Sequence, residues 1–177
     1  MAALPNFVSV EEFRLIPEGE YQYELHCGEV VAMTRPRVEH WVLQERLRGL
    51  LAEKLTVFGV VAVEMPYRPV PEFEYRAADV GVLSRGRFEK LHPKSDLYGA
   101  PELVVEVKSP SNSAKQLRDL VGICLAHGSL EVWIVDIDAK CVTVMRQDGI
   151  AHAFGPGDSL SLSAFGSDSL AVDDIFA

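Results

Sequence analysis

The sequence predicts a single mixed α/β (α+β) domain over residues 1–177, a central mixed β-sheet flanked by helices and extended by β-hairpins. Two observations carry this prediction. Helix-period and strand-period segments succeed one another in the order helix, strands, long helix, strands, helix, strands, with no linker, repeat or low-complexity stretch between them. Two of the strands, Leu103-Val104-Val105 with Val107 and Ala78-Asp79-Val80-Gly81-Val82-Leu83, are strongly apolar, and the first reads as covered on both faces.

The elements follow in order. Ser9 and Glu12 have capping-box spacing and open a short helix over roughly Val10 to Leu15, and Pro17 and Gly19 then turn the chain. Tyr21 to Leu25 and Glu29 to Met33, separated by His26-Cys27-Gly28, form a hairpin. From about His40 to Phe58, Leu43, Leu47, Leu50, Leu51, Leu55 and Phe58 repeat at helical spacing, and Gly59 ends the helix. Val60 to Val63 is a strand. Pro66, Pro69 and Pro71 make a turn-rich connection to the Asp79 strand, and a charged loop runs from Ser84 to Gly99. After the Glu106 strand, Ser113 and Gln116 repeat the capping-box spacing at the start of a helix that reaches about His127. Leu130 to Asp136 is a strand with Cys141 to Met145 as its hairpin partner, and the remainder, with Gly155-Pro156-Gly157, reads as terminal edge strands.

At 177 residues the chain is long enough to bury a core, and 48% apolar with 24% charged residues is the composition of a soluble globular protein. Seventeen basic against 26 acidic residues give a formal charge of −9, which argues against tight non-specific binding to DNA or an anionic membrane. It leaves open an enzyme whose basic residues cluster. Cys27, Cys124 and Cys141 are far apart and odd in number, so they indicate neither a zinc site nor a disulfide framework, and they suit a reducing cytoplasm. No stretch has the ~20 apolar residues of a membrane helix, and the first residues lack the basic and apolar regions of a signal peptide. Glycine-rich phosphate loops and nucleophile elbows are absent from the sequence.

Chemistry is concentrated in Asp79, Glu106 and Lys108. A carboxylate and an ammonium at the end of a buried strand are costly without partners, and residues two apart in a strand point to one side. Acid on one strand and acid-x-lysine on another can hold a divalent metal and act on a phosphate, with the lysine positioning or deprotonating water. The alternative is that Glu106 and Lys108 pair at a strand end while Asp79 caps a turn. His40 and Gln44 lie one helical turn apart. They either border the acids or, for His40, serve only as a satisfied helix-start residue. Glu24 among strand aromatics reads as solvent-facing. His26, His92, His127 and His152 show no ligand spacing to one another, and Arg35, Arg37, Arg85, Arg87 and Lys90 are loop cations open to a nucleic-acid backbone or to solvent alone.

These residues also carry a resemblance. Tyr23-Glu24-Leu25 with Gly28-Glu29, His40, Ala78-Asp79-Val80, Pro101 to Val107, Ser109-Pro110-Ser111 and Glu131 to Asp136 are similar to the Uma-type endonuclease-like family of the PD-(D/E)XK superfamily. The similarity covers nearly the whole chain and is most specific from Pro101 to Ser111. It implies a restriction-endonuclease-like core and Mg²⁺-dependent hydrolysis of phosphodiester bonds in DNA, with Mn²⁺ as substitute. Asp79 and Glu106 would bind metal with the carbonyl of Val107, Lys108 would orient water, and His40 and Glu24 would support them. Cutting two strands suits a homodimer. Two departures stand out: Ala78 replaces the motif proline, and Leu120 falls where many relatives carry a helix lysine. The competing expectation is therefore a catalytically inactive binding or assembly module of the same fold.

Overall fold

A computed structural model describes residues 7–17, 22–33, 37–109 and 113–177. The expectations for Gly19, Tyr21, Arg35 and the Pro110-Ser111-Asn112 break lie outside the described residues. Both capping boxes form. Ser9 caps α1 (Val10–Phe13) reciprocally with Glu12, and Ser113 caps α4 (Ala114–Ala126) with Gln116. The hairpin of β1 (Gln22–His26) and β2 (Glu29–Met33) turns through Cys27 and Gly28, both at positive φ, the geometry of a two-residue hairpin loop.

The central sheet has six strands in the order β3 (Gly59–Tyr67), β4 (Arg76–Ser84), β5 (Leu103–Val107), β6 (Glu131–Asp136), β7 (Cys141–Arg146), β8 (Ala151–Phe154). Only β5 and β6 run parallel, because α4 is the crossover between them; the other neighbours are antiparallel. The long helix α2 (Val38–Lys54) buries Leu43, Leu47 and Leu51 against Val80, Val82, Leu103, Val105 and Val107 on one face. On the opposite face Leu120 and Cys124 of α4 pack on Val104, Val132 and Ile134. A second two-stranded sheet, β9 (Ser159–Ser161) with β10 (Ser169–Ala171), and the terminal α5 (Val172–Phe176) close the α2 side.

Three boundaries differ from the sequence expectation. The long helix ends at Lys54, four residues early. Gly59 opens β3 because a Cβ there would lie 2.0 Å from the carbonyl oxygen of Leu83. Pro66 does not break β3: the strand sits at the edge of the sheet, where a residue without an N–H is tolerated. The charged loop after Ser84 contains a short α3 (Arg85–Phe88), and Arg87 ties it down by donating to the carbonyls of Tyr98 and Ala100.

Candidate active site

Strand register lines up three acids. Val63 pairs with Val80 and Met65 with Ala78, so Glu64 of β3 stands across from Asp79 of β4. The β4–β5 ladder runs through Val80 and Val105, and one step further it sets Asp79 against Glu106. At this level the alternation of core faces slips. Val61 and Val63 pack on the α2 side, whereas Met65 and Tyr67 pack on the α4 side; Val80 and Val82 face α2, whereas Ala78 faces α4. Since side chains two apart normally share a face, both strands rotate at Glu64 and Asp79. Glu64 marks the rotation with φ of 48°, a left-handed conformation uncommon for any residue but glycine. The slip frees the side chains at 64 and 79 from either core face.

The helix α2 supplies the groups that hold them. Gln44, 3% exposed, donates from Nε2 to Glu64 Oε1 at 2.8 Å and to Asp79 Oδ1 at 2.7 Å. His40, one turn earlier, places Nε2 3.1 Å from the same Asp79 oxygen. The other oxygen, Oδ2, accepts the N–H of Val107 at 2.7 Å, taking over where the β4–β5 backbone ladder stops. Burial opposes the charge on His40, but the bond and the charge of Asp79, with Glu64 behind it, outweigh burial and hold its pKa above the ordinary range. Glu64 is pushed up by burial and by Asp79 and Glu24, against the Gln44 bond.

Glu106 shares a face with Val104, on the α4 side. Its Oε1 is sealed from solvent and has no hydrogen-bond partner among the described residues. Burial, then the charges of Asp79 and Glu24, raise its pKa well above the usual carboxylate range, and Arg76 acts in the opposite direction. Glu24 does not face solvent as its strand context suggested. The bridge of Leu25 to Tyr75 lays β1 beside the approach to β4, so that Glu24 Oε1 accepts the N–H of Ala77 at 3.1 Å while Oε2 lies 2.6 Å from His26 Nε2.

Lys108 is not brought to the acids, which corrects the expected convergence. The parallel register that pairs Val107 with Val135 sets Lys108 beside Asp136, and its Nζ donates to Asp136 Oδ2 at 2.7 Å on an open part of the surface. The ammonium thus leans toward β6, away from Asp79 on β4. Leu120 is buried against the α4-side core, so the helix contributes an apolar group here.

Sequence reasoning passed over Glu64, Arg76 and Glu74. Arg76 is 4% exposed and lies three residues before Asp79; its Nε donates to Glu74 Oε2 at 2.5 Å, and Glu74 Oε1 accepts the N–H of Cys27 at 2.7 Å. A charge inside the apolar run from Gly59 to Met65, and alternate opposite charges leading into β4, were the available signals.

Among the described residues no three His, Cys, Asp or Glu side chains stand together as a ready cation site. The donors nevertheless fit a hard divalent ion in kind. They are carboxylate oxygens, one of them buried without a partner, and they repel one another in a way that a cation would relieve.

A six-stranded mixed sheet sandwiched by helices, with acids at a slip between adjacent strands, is a mixed α/β fold. The solved structure of a "putative nuclease belonging to DUF820" from Anabaena variabilis superposes with a TM-score of 0.82 over 96% of this chain and 97% of that one, at 20% identity. Residues 10–173 match the Uma2 family, described as "Putative restriction endonuclease", and the chain belongs to that family. No curated protein matches the sequence.

Proposed function

We propose that this protein is a Mg²⁺-dependent nuclease that hydrolyses phosphodiester bonds in DNA, with Mn²⁺ able to substitute. The observation that carries the proposal is the buried, unpartnered Oε1 of Glu106 next to Asp79, an arrangement that is costly until a cation is shared between the two acids. Family membership supports the nuclease-like class. Asp79 and Glu106 would hold the metal together with the carbonyl of Val107, which a strand turns to the same side as its amide. A bound divalent ion would supply positive charge to the phosphate and to the attacking water. Gln44 and His40 orient the Asp79 carboxylate, and Glu24 anchors β4 through Ala77. In-line attack by water forms one P–O bond and breaks another, leaving a phosphate monoester and a free hydroxyl. Lys108, engaged by Asp136, has no part in this scheme. A homodimer would bring two such sites to the two strands of a duplex. The three free cysteines suit the cytoplasm, and no described helix is long and apolar enough to cross a membrane.

A second reading, a non-catalytic module of the same fold, is favoured by two observations: Lys108 points elsewhere and Leu120 is apolar. Cleavage of plasmid and oligonucleotide DNA with Mg²⁺ or Mn²⁺, for the wild type and Asp79→Ala, separates the two. Metal-dependent cutting lost in Asp79→Ala is the expected result; no cutting of any DNA by the wild type favours the module.

A further inference from the structure

We propose that Arg76 is the phosphate-binding cation of this site. The inference rests on the nuclease reading above and supplies the positive group that Lys108 does not. Arg76 lies across from Tyr67 on the α4 side of the slip, the same side as Glu106. The next residue, Ala77, donates its N–H to Glu24, which sets Arg76 beside the acids, and the charge of Glu24 acts on it in turn.

Its hydrogen bonding is incomplete in an informative manner. Glu74 anchors Nε, and Glu74 is itself fixed by the amide of Cys27, so the head group is held from behind. The two terminal nitrogens have no acceptor among the described residues. Unlike Arg68 Nε and Glu106 Oε1, neither of them is a sealed, unpartnered atom. A guanidinium pinned at Nε with its fork free is the geometry that receives two oxygens of a phosphate. A purely structural Arg76 in so acidic a setting would be expected to spend its fork on Glu24 or Glu106, and it bonds neither.

The test compares the wild type with Arg76→Lys and with the double variant Glu74→Gln/Arg76→Met. The double variant removes both members of the buried pair, so that no lone charge is left inside to unfold the protein. Two readouts are taken: Mn²⁺-dependent cleavage of an oligonucleotide, and binding of thymidine 5′-monophosphate by calorimetry in the presence of Ca²⁺. The expected result is a loss of about 100-fold in cleavage for the double variant, in kcat more than in KM, with nucleotide binding abolished. Partial activity is expected for Arg76→Lys, which keeps a point charge but loses the fork. If the wild type cuts DNA and the folded double variant keeps its rate and its nucleotide affinity, Arg76 has no such role while the nuclease reading stands. If the wild type binds the nucleotide through Arg76 but cuts nothing, the nuclease reading fails and the phosphate site stands. If it neither cuts nor binds, both fall.

Discussion

Glu106→Gln should stabilise the metal-free protein, and the gain should grow with pH. A carboxyl whose folded pKa is raised keeps its proton in the native state while the unfolded chain, with a pKa near 4.3, releases it. Between those two values the native state binds more protons, so stability falls as pH rises, by at most about 1.4 kcal/mol per pH unit. His40 contributes in the same sense. Its raised pKa gives stability that is fully present below the unfolded value of about 6.5 and lost as pH climbs through the folded one. The raised Glu64 slopes the same way. The wild type in EDTA should therefore be more stable near pH 5 than near pH 8. Replacing the carboxyl with an amide of the same shape removes the part due to Glu106. Wild type and variant should nearly coincide at pH 5 and separate by about 1–3 kcal/mol at pH 8, the usual cost of an uncompensated buried polar group. Urea unfolding followed by the fluorescence of Trp41 and Trp133, from pH 5 to 8.5, reads this directly. Parallel stability curves for the two proteins would refute the reasoning, because they would mean that Glu106 carries no strained charge.

Three other substitutions test separate parts of the site. Lys108→Ala should leave stability nearly unchanged, as for exposed ion pairs, and change cleavage by less than about fivefold; a rate loss of several hundredfold would return Lys108 to the reacting centre. Gln44→Ala strips the shared donor from Glu64 and Asp79 and should cost about 1–3 kcal/mol in a thermal or urea melt, with reduced activity. Glu64→Gly suits the positive φ and should gain up to about 1 kcal/mol in the same melt. A glycine variant less stable than wild type would show that the conformation is not strained.

Much of the fold was legible because local signals agreed with tertiary need. Two capping boxes, the leucine spacing of α2 and the apolar Leu103-Val104-Val105 run of β5 each point to the element that forms. The site was legible where residues share an element: His40 and Gln44 meet Asp79 together because one helical turn separates them. It failed where register between distant strands decides the outcome. Alternation continued from β5 would put Lys108 on the side of Glu106, but the parallel pairing with β6 supplies Asp136 as its partner. Glu64 was hidden for a related reason. A lone acid in an apolar strand reads as solvent-facing, and only the antiparallel register with β4 shows that it confronts Asp79.

The two acids proposed as metal ligands are built into the fold in opposite ways, and this separates their roles. Asp79 Oδ2 substitutes for a backbone carbonyl at the end of the β4–β5 ladder, and Oδ1 collects two side chains of α2. Its carboxylate therefore helps to hold strand and helix together, and removing it must cost stability as well as any chemistry. Glu106 has one oxygen that bonds nothing among the described residues, and its neighbours raise the energy of its charge. A group that destabilises the protein when ionised, yet sits beside a well-anchored carboxylate, is explained by what it would gain from a cation. Loss of function with loss of stability at 79, against loss of function with gain of stability at 106, is the pattern that a metal site imposes and a structural ion-pair network does not.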